Sequence, residues 1–337
     1  MLAVHEAAWA AAGGDGKAKG VSYWGLSYGT ALGMTFAQLY PERVERMILD
    51  GVVDVKDYFA AKWEKNLQDA DAALERFFVL CDSAKAGKCG FAANSTSVGE
   101  LRKRWEGLVE KMEQHPIPLF GDAAPGSVTK DALLGFVLTA LFDPTAFPLV
   151  DTVLTNLLKG NGTLLASLTD LPVDPTLPNG SGNEAGFAVY CSDAFSVHGR
   201  PTIAIAMLRK HLRVLEKQTR WFSGVWGVIR KDCTGWEKPA LGVQRPSSWG
   251  RELKNKILFV GNEWDPVTPV RNAKAMSKLW PGSGFLLIKG APGHCTLVTN
   301  GTCMVEKYEK YLETGKVSGG ESCQADGLEP FEVPVPE

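Results

Sequence analysis

The sequence predicts an α/β fold: a parallel sheet whose strands come from both ends of the chain, with a long helical segment inserted between them. Two observations carry the sheet. Near the N-terminus, Val21 to Leu26 is a short β-branched and aromatic run, followed by a helical stretch and a second strand, Val44 to Leu49. Near the C-terminus the alternation returns, with Lys256 to Val260 as strand, Val270 to Leu279 as helix and Phe285 to Ile288 as strand. Strand, helix, strand at this spacing is a parallel unit with a crossover. A third observation, the change of character over the roughly two hundred residues in between, carries the insertion.

Taken in order, the first twenty residues have room for one helix. VSYWGL has the pattern of a buried strand. After Ser27-Tyr28-Gly29, the stretch TALGMTFAQLY is helical in pattern, with Leu32, Phe36 and Leu39 on one face and Pro41 as its stop. The second strand ends at Asp50-Gly51. In the long middle, Trp63 to Ala84, Val98 to Met112, Lys130 to Phe142 and Thr202 to Arg220 read as helices, joined by loops rich in Pro, Gly and Asn such as LPVDPTLPNGSGN. A last helix is expected from about Met304 to Leu312.

Composition removes several classes of function. With 45% hydrophobic and 22% charged residues, the 337-residue chain is an ordinary globular one. Its net charge of −2 leaves no basic footprint for nucleic acid. The longest apolar run, around Ala132 to Leu141, is about half of what a bilayer span needs. The N-terminus has no basic region and makes a poor signal peptide. Against that stand seven cysteines, Cys81, Cys89, Cys191, Cys233, Cys295, Cys303 and Cys323, a high count for a chain that keeps its thiols reduced. No pair has zinc-finger spacing, and the chemistry below calls for no metal or cofactor. Four N-x-[ST] sequons, at Asn94, Asn161, Asn179 and Asn300, lie in turn-rich stretches and join the cysteines in favouring secretion.

The chemistry sits at the strand ends. Gly25-Leu26-Ser27-Tyr28-Gly29 is G-x-S-x-G, a pattern that arises by chance in roughly one such chain in ten. Its place between strand and helix makes it specific. A serine on so sharp a turn is held in a strained conformation that lifts its hydroxyl above the sheet, and Gly25 and Gly29 leave room for the turn. The helix beginning at Tyr28 presents its amides and positive dipole end to a developing oxyanion. A serine needs a base. Of His5, His115, His198, His211 and His294, only His294 lies in a loop after a core strand; the others read as surface residues of the N-terminus and middle segment. Asp265, in the loop Gly261 to Pro269, precedes His294 by one helix and one strand and gives the order Ser, Asp, His. Glu263, two residues earlier, is its rival.

These stretches, SYWGLSYGTALGMTFAQLYPERVERMILDGVVD, GNEWDPVTPV and GHC, resemble the α/β-hydrolase superfamily. More narrowly they are similar to the secreted tripeptidyl-aminopeptidase-like (TAP-like) serine hydrolases, relatives of the prolyl aminopeptidases. The resemblance is dense over 21–54 and 255–323 and loose between. It implies a catalytic triad of Ser27, Asp265 and His294, cleavage of short peptides from free N-termini through an acyl-enzyme, and an extracellular location. It also implies disulfides Cys81–Cys89, Cys191–Cys233 and Cys303–Cys323, with Cys295 left over; sequence alone allows fifteen pairings of those six. The expected layout is 1–54 as the first part of the core with the nucleophile elbow, 55–250 as a helical cap, 251–323 as the TAP-like remainder of the core and 324–337 as a tail.

The chain departs from that family before the nucleophile strand, where relatives carry four more strands and a signal peptide. It therefore reads as N-terminally truncated, with the Tyr28 amide as the one oxyanion donor legible and Val21 to Leu26 as an edge strand. The expected partner is a peptide or ester substrate, with no nucleic acid and no membrane span. A carboxylesterase with the same triad, or a catalytically impaired fragment, are the alternatives. An aminopeptidase must also bind an ammonium group, for which Glu184 and Asp193, flanking GFAVYCS, are the candidate carboxylates. The late tryptophans Trp221, Trp226 and Trp236 fit core packing or the lining of an apolar pocket.

Overall fold

The computed structural model describes residues 1–15, 20–84, 88–119, 126–169, 183–194, 205–236, 245–299 and 301–332. Its centre is a five-stranded sheet of β1 (Val21–Leu26), β2 (Val44–Asp50), β5 (Ile257–Trp264), β6 (Gly284–Pro292) and β7 (Glu321–Gln324), in the order β1-β2-β5-β6-β7. Every neighbouring pair is parallel. β3 (Ile117–Leu119) and β4 (Gly126–Val128) form a separate antiparallel ribbon. This is the parallel sheet with helices on its faces that α/β-hydrolases share.

Both faces of the sheet are covered, which is why its central strands carry unbroken apolar runs, Met47–Leu49 in β2 and Ile257–Val260 in β5, rather than alternating. Met47, Leu49, Ile257 and Phe259 point to one face, where α2 (Tyr28–Leu39) and α12 (Val270–Leu279) bring Met34, Phe36, Ala273 and Met276. Ile48, Leu258 and Val260 point to the other, against Met304, Tyr308 and Tyr311 of α13 (Thr302–Thr314). Burying each of the larger aliphatic and Phe side chains among these contributes about 1.5–3 kcal/mol. Tyr311 also fastens α13 to the sheet: its hydroxyl accepts from Met47 N at 2.7 Å and lies 2.8 Å from the Lys256 carbonyl.

Helix α2 buries a different face from the one expected. Leu32 is 38% exposed, and the packed side is Thr30, Ala31, Gly33, Met34, Phe36 and Ala37. The small residues decide this, because the helix lies so close to β1 and β2 that a Cβ on Gly33 would stand 2.6 Å from Leu49 Cδ2. α1 (Leu2–Ala11) fills the N-terminal stretch, with Glu6 paired to Arg43.

Between β2 and β5 run α3 (Val55–Phe59), α4 (Ala70–Ser83), α5 (Val98–Gln114), α6 (Lys130–Ala140), α7 (Phe147–Leu158), α8 (Thr163–Thr169), α9 (Asn183–Ala194), α10 (Ile205–Leu215) and α11 (Ser223–Asp232). They have a core of their own, built from residues such as Phe77, Trp105, Leu133, Val137, Phe147, Leu154 and Phe222, on which Trp221 and Trp226 also pack. The helix expected from Trp63 begins only at Ala70. Ala61 and Trp63 take left-handed φ values of 52° and 54°, and the Asp57 carboxylate holds the amides of Glu64 and Lys65 in a turn. The helix expected over Thr202 to Arg220 spans Ile205–Leu215, and residues 202–204 lie outside the described set. Among the described residues, no helix is long and apolar enough to cross a membrane.

Three disulfides are present, with the pairing that the resemblance implies: Cys81–Cys89, Cys191–Cys233 and Cys303–Cys323. They tie α4 to the following turn, α9 to the end of α11, and α13 to β7. Closing such loops stabilises by roughly 2–4 kcal/mol each, mainly through the unfolded chain. Cys295 is free and buried. Thiol counting on denatured, unreduced protein is expected to find one thiol, and seven would place the chain in a reducing compartment. Of the sequon asparagines, Asn94 and Asn161 are exposed, while Asn179 and Asn300 lie outside the described residues.

Candidate active site

The candidate residues gather at the carboxyl ends of the parallel strands, where α/β sheets bind ligands. Ser27 follows β1 directly and has φ 52° and ψ −119°, a conformation that is strained for any residue with a Cβ. Its neighbours explain how the turn is reached. A Cβ on Gly25 would stand 2.5 Å from the Gly29 carbonyl oxygen. The turn is braced by Tyr23, whose hydroxyl donates to that same carbonyl at 2.8 Å, and by Thr30, whose hydroxyl donates to the Ser27 carbonyl at 2.6 Å. Tyr28 is the first residue of α2, so its amide belongs to the helix end that carries partial positive charge.

Asp265 lies just past β5 and is completely buried. Its carboxylate accepts from the amides of Val267, Thr268 and Cys295 at 3.0, 2.7 and 3.1 Å, and from the Thr268 hydroxyl at 2.7 Å. His294 Nδ1 lies 3.1 and 3.0 Å from its two oxygens. Burial alone would raise the Asp265 pKa, but the imidazole's charge and these donors together hold it below the ordinary carboxylate value. For His294, burial works downward and is outweighed by the charge and hydrogen bond of Asp265, with a further contribution from Asp50, so its pKa is raised. A carboxylate on Nδ1 keeps the proton there and leaves the Nε2 lone pair as the basic site. Glu263, the rival acid, is turned elsewhere and accepts from Gly290 N at 2.8 Å.

The loop that carries His294 is held from several sides. Asn262 donates to the carbonyls of Gly293 and Cys295 at 3.0 and 2.6 Å. The helical segment contributes Phe142, whose carbonyl accepts from His294 N at 2.8 Å and whose ring centroid is 4.9 Å from the imidazole's. The Thr268 hydroxyl lies 3.0 Å from Nδ1. Across from this loop, the Asp50 carbonyl accepts from Ser27 N at 3.0 Å and from the Cys295 thiol at 3.5 Å, which seats the serine turn against the residue next to His294. Among the described residues, no hydrogen bond joins the Ser27 hydroxyl to the imidazole; such bonds commonly tighten only with substrate.

Asp193 stands near the same turn. Tyr28 and Tyr58 both donate to its Oδ2, at 3.1 and 2.8 Å, and burial followed by the Asp193 charge raises both phenol pKa values, so both remain donors. Among the described residues Asp193 has no cationic partner; Arg245 bonds instead to the carbonyls of Ser192 and Asp193. Glu184 is in the first turn of α9, and its side chain is outside the described residues. His211 is a correction to the sequence reading: it is buried rather than superficial, beside Glu64, because α10 turns its apolar face and this ring inward. His115 is exposed and His198 lies outside the described residues.

Asn262, Thr268, Phe142 and Asp50 were not singled out from the sequence. Thr268 and Asn262 lie within the acid's own motif, three residues to either side of Asp265, and that spacing was the available signal. Phe142 carried none. Donor atoms of Asp265, His294 and Cys295 lie within 4.8 Å of one another. The set suits a metal poorly, since the Asp265 oxygens already accept five donors. Burial and then the charges of Asp265 and Asp50 push the Cys295 thiol pKa up, keeping it protonated.

The fold defines a class, that of the α/β-hydrolase sheet. Residues 219–323 match the family model of TAP-like proteins (Abhydrolase_4). The chain is 24% identical to the tripeptidyl aminopeptidase of Streptomyces lividans, over 88% of its own length and 53% of that protein's. It is 26% identical to the serine protease Hip1 of Mycobacterium tuberculosis, over 90% of its length and 57% of that protein's. The chain thus spans about half the length of the curated relatives it matches.

Proposed function

We propose that this chain carries the triad of a secreted serine hydrolase that cleaves short peptides from their free N-termini, with residues 55–250 as a cap over the triad. Ser27 attacks the scissile carbonyl and passes its proton to His294 Nε2. Asp265 holds the ring in the productive tautomer and stabilises the imidazolium, and the Tyr28 amide donates to the oxyanion. His294 then protonates the departing amine, and water releases the acyl group from Ser27 by the same steps in reverse. The single observation that carries this reading is the strained Ser27 turn seated, through the Asp50 carbonyl, against the loop of an Asp265-bonded histidine. The names of the relatives, an aminopeptidase and a serine protease, point the same way.

Asp193 supports the free N-terminus. It is a carboxylate with two tyrosine donors and, among the described residues, no cation; one of those donors, Tyr28, is the residue next to the nucleophile, and a substrate ammonium completes the site. Peptides with free N-termini are expected to exceed their acetylated counterparts in kcat/KM by at least tenfold, and Asp193→Asn should erase most of that difference through KM. Equal turnover of free peptides, blocked peptides and simple esters would mark a carboxylesterase instead. The raised His294 pKa also sets a pH dependence. Only the neutral ring accepts the serine proton, so kcat/KM should rise with pH through a value above the ordinary histidine pKa of about 6.5. An acid limb below pH 6 would contradict the assignment of His294.

A further inference from the structure

Asp50 closes β2 with none of its surface exposed. Its carboxylate reaches the His294 loop one residue beyond Cys295. It accepts from Thr296 N at 3.1 Å to each oxygen and from the Thr296 hydroxyl at 2.5 Å. Thr296 Oγ1 is in turn 2.8 Å from the Tyr308 hydroxyl on α13. Because the Thr296 hydrogen goes to the carboxylate, Tyr308 is the donor to Thr296. The segment His294-Cys295-Thr296 is therefore gripped by one residue at two points, Cys295 by its carbonyl and Thr296 by its carboxylate. The same carbonyl also fixes the serine turn.

A neutral amide has the shape to make the Thr296 bonds, so a carboxylate at this place needs a separate reason. An ion in such a site is costly. Burial raises the Asp50 pKa to about 6 against the pull of the Thr296 bonds, so the group is largely ionised at neutral pH. The titratable groups around it are Tyr308 from α13, Cys295 and His294 from the loop after β6, and Asp265 from the loop after β5. Among the described residues, no Lys or Arg forms an ion pair with it. The group that gains from its charge is the imidazole, whose protonated form it favours.

We propose that Asp50 is a positioning residue of the hydrolytic reaction: it sets the serine turn and the histidine loop in register, and its charge supports the imidazolium that forms as Ser27 gives up its proton. This rests on the serine-hydrolase reading above. The test is Asp50→Asn in the full chain, read by the ring-nitrogen titration of ¹⁵N-labelled His294, assigned with His294→Gln, beside the kcat/KM pH profile. The expected result is a His294 pKa below that of the parent and an acid limb moved down in pH by the same amount. At neutral pH kcat should fall roughly tenfold or more with KM little changed. An unmoved His294 titration in a folded Asp50→Asn protein would overturn the proposal, because a merely structural residue alters stability and not the ring's pKa. If Asp50→Asn does not fold, Thr296→Val and Tyr308→Phe replace it. Each weakens the donors that keep Asp50 ionised, so each should lower the His294 pKa, and no change in either is the overturning result. The parent reading fails separately, by absence of Ser27-dependent labelling with a fluorophosphonate. The ring titration reports on Asp50 in either case.

Discussion

Ser27→Ala is expected to lower kcat by about a millionfold and to abolish labelling by a fluorophosphonate probe. The size follows from how nucleophile, base and acid act as a unit: with the nucleophile gone, only oxyanion and binding terms remain. Stability should hardly change, since alanine occupies the φ 52° backbone no better and no worse than serine. Ser27→Gly should be as inactive and yet melt at a higher temperature, because glycine relieves strain worth about 1–3 kcal/mol. Persistent labelling of the alanine protein would show that another residue is the nucleophile. Equal melting temperatures for the alanine and glycine proteins would show that the turn stores no strain.

Asp265→Asn should cost kcat on the order of ten-thousandfold with little effect on KM. The amide nitrogen of asparagine donates toward His294 Nδ1, so the proton moves to Nε2 and the ring loses its basic site facing the substrate. The substitution also sets a donor among donors: Asp265 now accepts from Thr268 Oγ1 and Cys295 N on the oxygen nearest the imidazole. An unmet buried group there should lower stability by about 1–3 kcal/mol. Activity and melting temperature measured on the same preparation separate the two effects. Activity within tenfold of the parent would return attention to Glu263, which the structure binds to Gly290 instead.

Much of this site was legible in the sequence, and the reasons are local. Ser27 announced itself because a tight strand-to-helix turn requires Gly25 and Gly29 around it. Asp265 and His294 stand where strands with clear apolar runs stop. The sheet was legible for the same reason, though β7 was missed: at four residues, with Cys323 its one buried side chain, it has too little apolar pattern to register. The buried face of α2 was misjudged because period alone favours large residues, whereas close approach to β1 and β2 favours Ala31, Gly33 and Ala37. Asp50 was read as the end of a strand and no more. Its importance comes from Thr296, Cys295 and Tyr308, which lie far along the chain and meet it only after folding.

The neighbouring of β2 and β5 has a consequence for how the molecule reaches its working state. Met47 pairs with Ile257 across roughly two hundred intervening residues, and bringing the ends of so long an unstructured loop together costs about 5 kcal/mol beyond a constant term. The intervening helices have their own core, so ordering them first shortens that loop and lowers the entropic barrier to closing the sheet. Ser27 belongs to the strand pair on one side of this seam, and Asp265 and His294 to the other. Helical content should therefore return early in refolding, while the capacity to react with an active-site probe returns only in the later step that joins the two ends of the chain.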